Sequence, residues 1–366
     1  PLFLLMSNVL LKGGVCRDLF AAVQAWVGHW PGGLAVATIL SCGLFAAISG
    51  SSVATAATIG TVAIPEMLSR GYAKRFVYGL LAAGGTLGIL IPPSIPMIVY
   101  GFVTEQSVIA LFLAGIGPGI VLIVLFVAFA MLHARFSKAY EPMPKADWSE
   151  RAAASKRALP SLALALLVIL GLYSGAFTPT EAAAIGFAAA ILITTLWLRS
   201  LTWAAFWEAI KESAVTTVAI LLIVAGAKVF GKAIALYRIP QDISAFIAQT
   251  IDGPLMFIIV VSLVLLLMGL VFEALSMILI MTPVLLPAAM GLGFDPIWFG
   301  IYMVIMVEVA LITPPVGLNL YVIQSVARTT LANVARGVWP FLLLMLATVG
   351  LLYAMPDLAL YIPFKW

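Results

Sequence analysis

Apolar residues run in long uncharged stretches along the chain: Leu19 to Pro65, Phe76 to Thr104, Gln106 to His133, Ala158 to Thr180, Gly253 to Phe272 and Gly337 to Pro356. Short charged segments separate them. A helix crossing the hydrocarbon core needs about 20 apolar residues, so the pattern predicts an all-α polytopic membrane protein. Barrel strands would alternate over roughly ten residues, and no such alternation is visible. Two kinds of interruption modify this picture. "GGTLGILIPPSIPMIVYG", residues 84–101, carries Pro92 and Pro93 in its middle; each lacks an N–H and clashes with the preceding turn, which predicts a broken helix over 74–104. The stretch Leu19 to Pro65 is too long for one span and contains the polar knot Ser49, Gly50, Ser51 and Ser52. It reads as a re-entrant hairpin over 31–69 with the knot at its tip. Two ordinary spans joined by a polar turn would return the chain to the same side, so charge alone leaves that alternative open.

Both interruptions occur twice. Shifting the sequence against itself by 222 residues lays Pro65 on Pro287, Pro92 on Pro314, Pro93 on Pro315 and Pro118 on Pro340, with Gly71 on Gly293 and Gly115 on Gly337. Proline and glycine dictate backbone path, so their shared register implies a structural repeat. The expected organisation follows. Residues 1–30 hold a scaffold helix end and a first interfacial arm. Residues 31–115 form a first unit, and 116–238 supply scaffold helices with a cytoplasmic loop at 135–157. A second arm spans 239–253; a second unit, 254–337, has its hairpin at 254–293 and broken helix at 296–327. A scaffold helix and the C-terminus occupy 338–366. The arms "RDLFAAVQAWVGHW" and "IPQDISAFIAQTIDG" are amphipathic, either braces for a moving unit or plain connectors.

Charge sets orientation. The chain is 64% hydrophobic and 9% charged, against roughly 25% charged in soluble domains. The loop "RFSKAYEPMPKADWSERAAASKR" holds six Lys and Arg and is placed in the cytoplasm by the positive-inside rule. Of the 19 basic residues only Lys228, Lys232, Arg238 and Lys365 then fall outside, and the C-terminus is expected to be periplasmic. Five crossings separate the two units, an odd number, which makes the repeat inverted. Backbone breaks at membrane depth are tolerated only where they are buried in protein or line a cavity, and inverted repeats with discontinuous helices build midplane transport sites. The charge balance gives no reason to expect a nucleic-acid partner. The chain opens inside an apolar segment without Met, which leads us to expect preceding sequence.

Few residues offer chemistry. Ser49, Ser51 and Ser52 cluster beside Gly50 at the first tip and read as functional; Thr55 and Ser276 are further tip hydroxyls, and Thr58 and Thr282 read as bonding their own helices. Glu273 and Glu308 stand in apolar surroundings, where ionisable groups are costly and functional by default. Each is either a cation partner or a charge satisfied by helix N-termini. Cys16 and Cys42 match no metal or redox spacing. "GAKVFGKA", residues 226–233, imitates a phosphate loop but ends in Ala233 and has no preceding strand. No protease motif is present, and an enzyme is not expected.

The segments "PGGLAVATILSCGLFAAISGSSVATAATIG", "GYAKRFVYGLLAAGGTLGILIPPSIPMIVYG" and "LITPPVGLNLYVI" resemble the large (M, DctM-like) membrane subunit of tripartite ATP-independent periplasmic (TRAP) transporters, over essentially the whole chain. The resemblance implies an elevator-type importer in the bacterial inner membrane, driven by two or more sodium ions and carrying an organic acid such as a C4-dicarboxylate or sialic acid. It implies two partners, a small membrane (Q) subunit and a periplasmic substrate-binding (P) protein. It also implies one sodium site near Ser49, Ser51, Gly88, Ile91 and Pro93, and a second near Gly269, Ala310, Thr313 and Val316. Substrate would lie near Ser51, Ser52, Thr55 and Pro92. Family members often have glycine where Ala310 stands. A stand-alone sodium/carboxylate carrier and an ion channel are the competing expectations.

Overall fold

The computed structural model describes residues 1–136, 140, 143–250 and 253–365. Part of the expected loop at 135–157, the end of the second arm at 251–252 and the C-terminal Trp366 lie outside the described residues. Helices α1 (Leu2–Lys12) and α2 (Val15–Val27) precede a hairpin of α3 (Gly33–Ser49) and α4 (Ser52–Ser69). The broken helix follows as α5 (Lys74–Leu90) and α6 (Ile95–Thr104), bent by 41°. Next come α7 (Val108–Phe136), α8 (Trp148–Tyr173), α9 (Pro179–Leu192), which continues as a π-helical turn (Ile193–Trp197), and α10 (Trp203–Leu236). The second arm is α11 (Ile239–Thr250). A second hairpin, α12 (Pro254–Met268) and α13 (Ala274–Gly291), leads to a second broken helix, α14 (Pro296–Ile312) and α15 (Leu318–Ala327). The chain closes with α16 (Leu331–Ala354) and α17 (Asp357–Lys365).

The repeat is visible element by element. A shift of 222 carries the bounds of α4 onto those of α13, and the bounds of α5 onto those of α14. The caps match too: Ser51 accepts from the Ala54 N–H at 3.4 Å, and Glu273, its counterpart, accepts from the Ser276 N–H at 3.2 Å. Ile91 and Thr313, the residues ending α5 and α14, have near-identical backbone angles (φ −87°, ψ 126° and φ −79°, ψ 122°). The peptide bonds Pro92–Pro93 and Pro314–Pro315 are both cis. Between the two hairpins lie four long apolar helices and the bent pair α5–α6, the odd number that inverts the second unit.

Two boundaries differ from the sequence expectation. The unit ends expected at 115 and 337 fall inside continuous helices, because α7 and α16 run through Pro118 and Pro340. Helix α8 also takes up residues 148–157 of the loop expected at 135–157. Asp147 and Glu150 form a reciprocal capping box that starts α8 at Trp148, so the basic residues Arg151, Lys156 and Arg157 ride on a helix.

Burial shows which elements are central. Every residue of α14 from Ile297 to Ile312 is buried, as is α5 from Phe76 to Leu90; a helix apolar and buried all round belongs to a core. Polar groups of α6 and α14 bond across to neighbouring segments. Tyr100 donates to the Pro296 carbonyl at 2.7 Å, and the Trp298 indole donates to the Leu352 carbonyl at 3.1 Å. Helix α10 is the opposite case, with no residue of its most apolar window buried.

Candidate functional site

The two hairpins bring their tips to one cavity of about 280 Å³. Its walls are Gly50 to Val53 from the first tip, Glu273 to Leu275 from the second, Ile95 and Pro96 of α6, Leu318 of α15, and Thr216, Ala219, Ile220 and Ile223 of α10. Four helices therefore begin at this cavity: α4, α6, α13 and α15. Each N-terminus has unsatisfied N–H groups and a partial positive charge. No Lys or Arg lines it, whereas the Glu273 side chain does.

Beside the cavity, the first tip folds into a set of oxygens. Ser49 Oγ lies 2.8 Å from Thr55 Oγ1, and the Thr55 hydroxyl donates to the Ser51 carbonyl at 2.8 Å. Ser49 and Thr55 are buried. Helix α5 approaches this set at Gly88, where a Cβ would come within 2.5 Å of the Ser51 carbonyl oxygen and 2.6 Å of Thr55 Oγ1. At Gly50, in the left-handed region (φ 60°), a Cβ would come within 2.5 Å of the Pro93 carbonyl oxygen. The tip thus rests on the break. Because Pro92 and Pro93 lack N–H groups, the carbonyls of Gly88 and Ile89 lose their helical donors. Hydroxyl and carbonyl oxygens with no cationic side chain among them suit a hard cation such as sodium.

The second set is looser. Gly269 packs on Ala310, where a Cβ on the glycine would collide with the alanine Cβ. Thr313 donates its hydroxyl to the Val309 carbonyl at 2.7 Å, and its N–H reaches the Ala310 carbonyl at 3.1 Å. Val316 is partly exposed at 39%, and Val271 at the second tip is 79% exposed. The first tip is enclosed; the second is open.

Not all residues expected near substrate meet. Ser51 and Ser52 line the cavity between the tips, but Thr55 turns toward Ser49 and Gly88. Pro92, with Ile91, lines a separate apolar cavity against Ile169 and Tyr173 of α8. Glu273 caps α13 at the cavity wall, while Glu308 lies deeper, accepting from the Ser52 hydroxyl at 3.3 Å. Asn319 was not singled out by the sequence reading; its amide donates to Ser52 Oγ at 2.5 Å and to the Ala82 carbonyl at 3.3 Å. A carboxamide one residue inside an apolar half-helix was the available signal. The α10 face was not singled out either, because its cavity-lining stretch, residues 216–223, carries no charge and reads as an ordinary span.

An inverted pair of helical hairpins and broken helices, enclosing a cavity between their tips, defines a polytopic membrane transporter. The family described as the tripartite ATP-independent periplasmic transporter, DctM component, matches residues 1–358. Over 99% of its length the chain is 40% identical to the C4-dicarboxylate TRAP transporter large permease protein DctM of Pseudomonas aeruginosa, covering 85% of that protein. It is 33% identical to the sialic acid TRAP transporter large permease protein SiaM of Vibrio cholerae, covering 99% of this chain and 85% of that one. The YdaH transporter of Alcanivorax borkumensis shares its fold, with a TM-score of 0.61 at 16% identity over 99% of this chain and 85% of that one. The chain belongs to the DctM family of TRAP transporter large permeases.

Proposed function

We propose that this permease imports an organic acid, a carboxylate such as a C4-dicarboxylate or sialic acid, using the sodium gradient. The observation that carries this reading is the convergence of four helix N-termini on one cavity without a basic side chain. The start of α13 is already capped by the Glu273 carboxylate, so the dipole ends of α4, α6 and α15, with the N–H groups their caps leave free, offer a substrate carboxylate hydrogen bonds and partial positive charge. Sodium is the second cargo. Ser49, Ser51, Gly88, Ile91 and Pro93 would hold one ion, and Gly269, Ala310, Thr313 and Val316 another. Each ion adjoins a helix break that also shapes the cavity, so binding sodium orders the tips that enclose substrate.

In this reading the two hairpins and broken helices, within 31–115 and 254–337, move together as an elevator past the remaining helices, with α2 and α11 as arms. A periplasmic substrate-binding protein delivers the acid, and a small Q subunit completes the complex in the inner membrane, with this chain's C-terminus in the periplasm. The relatives named above support the substrate class, and the tripartite family supports the partners.

The test is uptake in proteoliposomes containing the complex, with and without binding protein and with an inward sodium gradient. Saturable uptake requiring both is the expected result. Uptake without binding protein would make this a stand-alone carrier, and sodium-independent, unsaturable flux would make it a channel.

A further inference from the structure

One buried carboxyl group has no role in the scheme above. Glu308 is 1% exposed in the C-terminal part of α14, and Asn319 is fully buried at the start of α15. Ser52 joins them, donating to Glu308 Oε2 and accepting from Asn319 Nδ2. The remaining oxygens of the two side chains, Glu308 Oε1 and Asn319 Oδ1, have no hydrogen-bond partner. None of the three ion pairs among the described residues reaches Glu308. An ionised carboxylate inside a membrane protein needs a counter-charge. Here two open acceptors and a carboxyl group share one small network, and all the donors present are neutral.

We infer that Glu308, Asn319 and Ser52 form a further sodium site, with Glu308 Oε1 and Asn319 Oδ1 as ligands and the carboxylate as the neutralising charge. This rests on the sodium-driven reading and extends it. The site is distinct from the one expected around Ala310. Positions 308 and 310 point about 200° apart on a helix of 3.6 residues per turn, and Ala310 meets Gly269 of the second tip whereas Glu308 meets Ser52 of the first. The network ties both repeats: Ser52 and the Ala82 carbonyl come from the first, Glu308 and Asn319 from the second. Ser52 also lines the substrate cavity. An ion at Glu308 therefore fixes a residue of the cavity wall, which couples its occupancy to substrate.

The experiment measures ²²Na⁺ and substrate fluxes in proteoliposomes of the complete transporter, at fixed membrane potential, for wild type and Glu308→Gln. The substitution keeps the shape and removes the charge. The expected result is a sodium-to-substrate ratio lower by one ion in the variant. An unchanged ratio overturns the inference. Where the variant does not transport, equilibrium ²²Na⁺ binding to the purified complex gives the same reading: one ion fewer supports the site, and an equal number overturns it. Asn319→Leu carries the same binding measurement should Glu308→Gln fail to fold. Absence of sodium-coupled uptake in wild type would instead overturn the proposed function, so the two failures are separable.

Discussion

At Gly50 the first hairpin turns in a left-handed conformation against the Pro93 carbonyl, a combination that glycine alone meets without strain. Gly50→Leu is therefore expected to abolish uptake while the protein still reaches the membrane, as read by transport assay and immunoblot together. Ordinary uptake by this variant would contradict the packing of tip on break. Thr313 gives a subtler test. Its counterpart in the first unit, Ile91, has no side-chain oxygen, so a cation site there would draw only on carbonyls from the break. The Thr313 hydroxyl donates its proton to the Val309 carbonyl and keeps its lone pairs for a cation. Thr313→Val should raise the sodium concentration for half-maximal uptake several-fold, and an unchanged sodium curve rejects a ligand role. Much of this was legible in the sequence, because serines, glycines and prolines at a membrane break have few other uses. Asn319 and the direction taken by Thr55 were not, since they depend on which helix packs behind each half-helix.

The elements themselves were read from punctuation. Proline and glycine register revealed the repeat, and the shared bounds of α4 with α13 and of α5 with α14 follow from it. The same punctuation misplaced the unit ends at 115 and 337. A proline costs a helix one hydrogen bond and a kink, and α7 and α16 are long enough, with enough packed surface, to continue past it. Helix pairing was also beyond the sequence. Helices α5 and α16 meet at Gly79 and Gly337, where a Cβ on either residue would collide with the other helix's backbone. Small residues at such crossings let membrane helices approach closely. Gly337→Leu should force the pair apart, at about 1–3 kcal/mol as for other overpacked contacts. Thermal unfolding in detergent should show a lower midpoint, and an unshifted midpoint would mean that this contact is not tight in solution.

For the whole molecule, the central claim is that the two tips and two broken helices travel together past a scaffold. The first-tip contacts, Gly50 on Pro93 and Gly88 on Ser51, lie within the moving unit. The cavity that Ile91 and Pro92 share with Ile169 and Tyr173 lies between that unit and α8. Cysteine cross-linking separates the two kinds of contact most directly, in a background with the buried native Cys16 and Cys42 replaced. The pair Ile91→Cys with Tyr173→Cys should cross-link in only one of the inward- and outward-facing states, block uptake, and release it on reduction. The pair Ala56→Cys with Gly85→Cys, inside the unit, should form equally in both states. If instead the within-unit pair responds to state while the scaffold pair forms regardless of it, the site is fixed and only gated locally, and the elevator account is wrong.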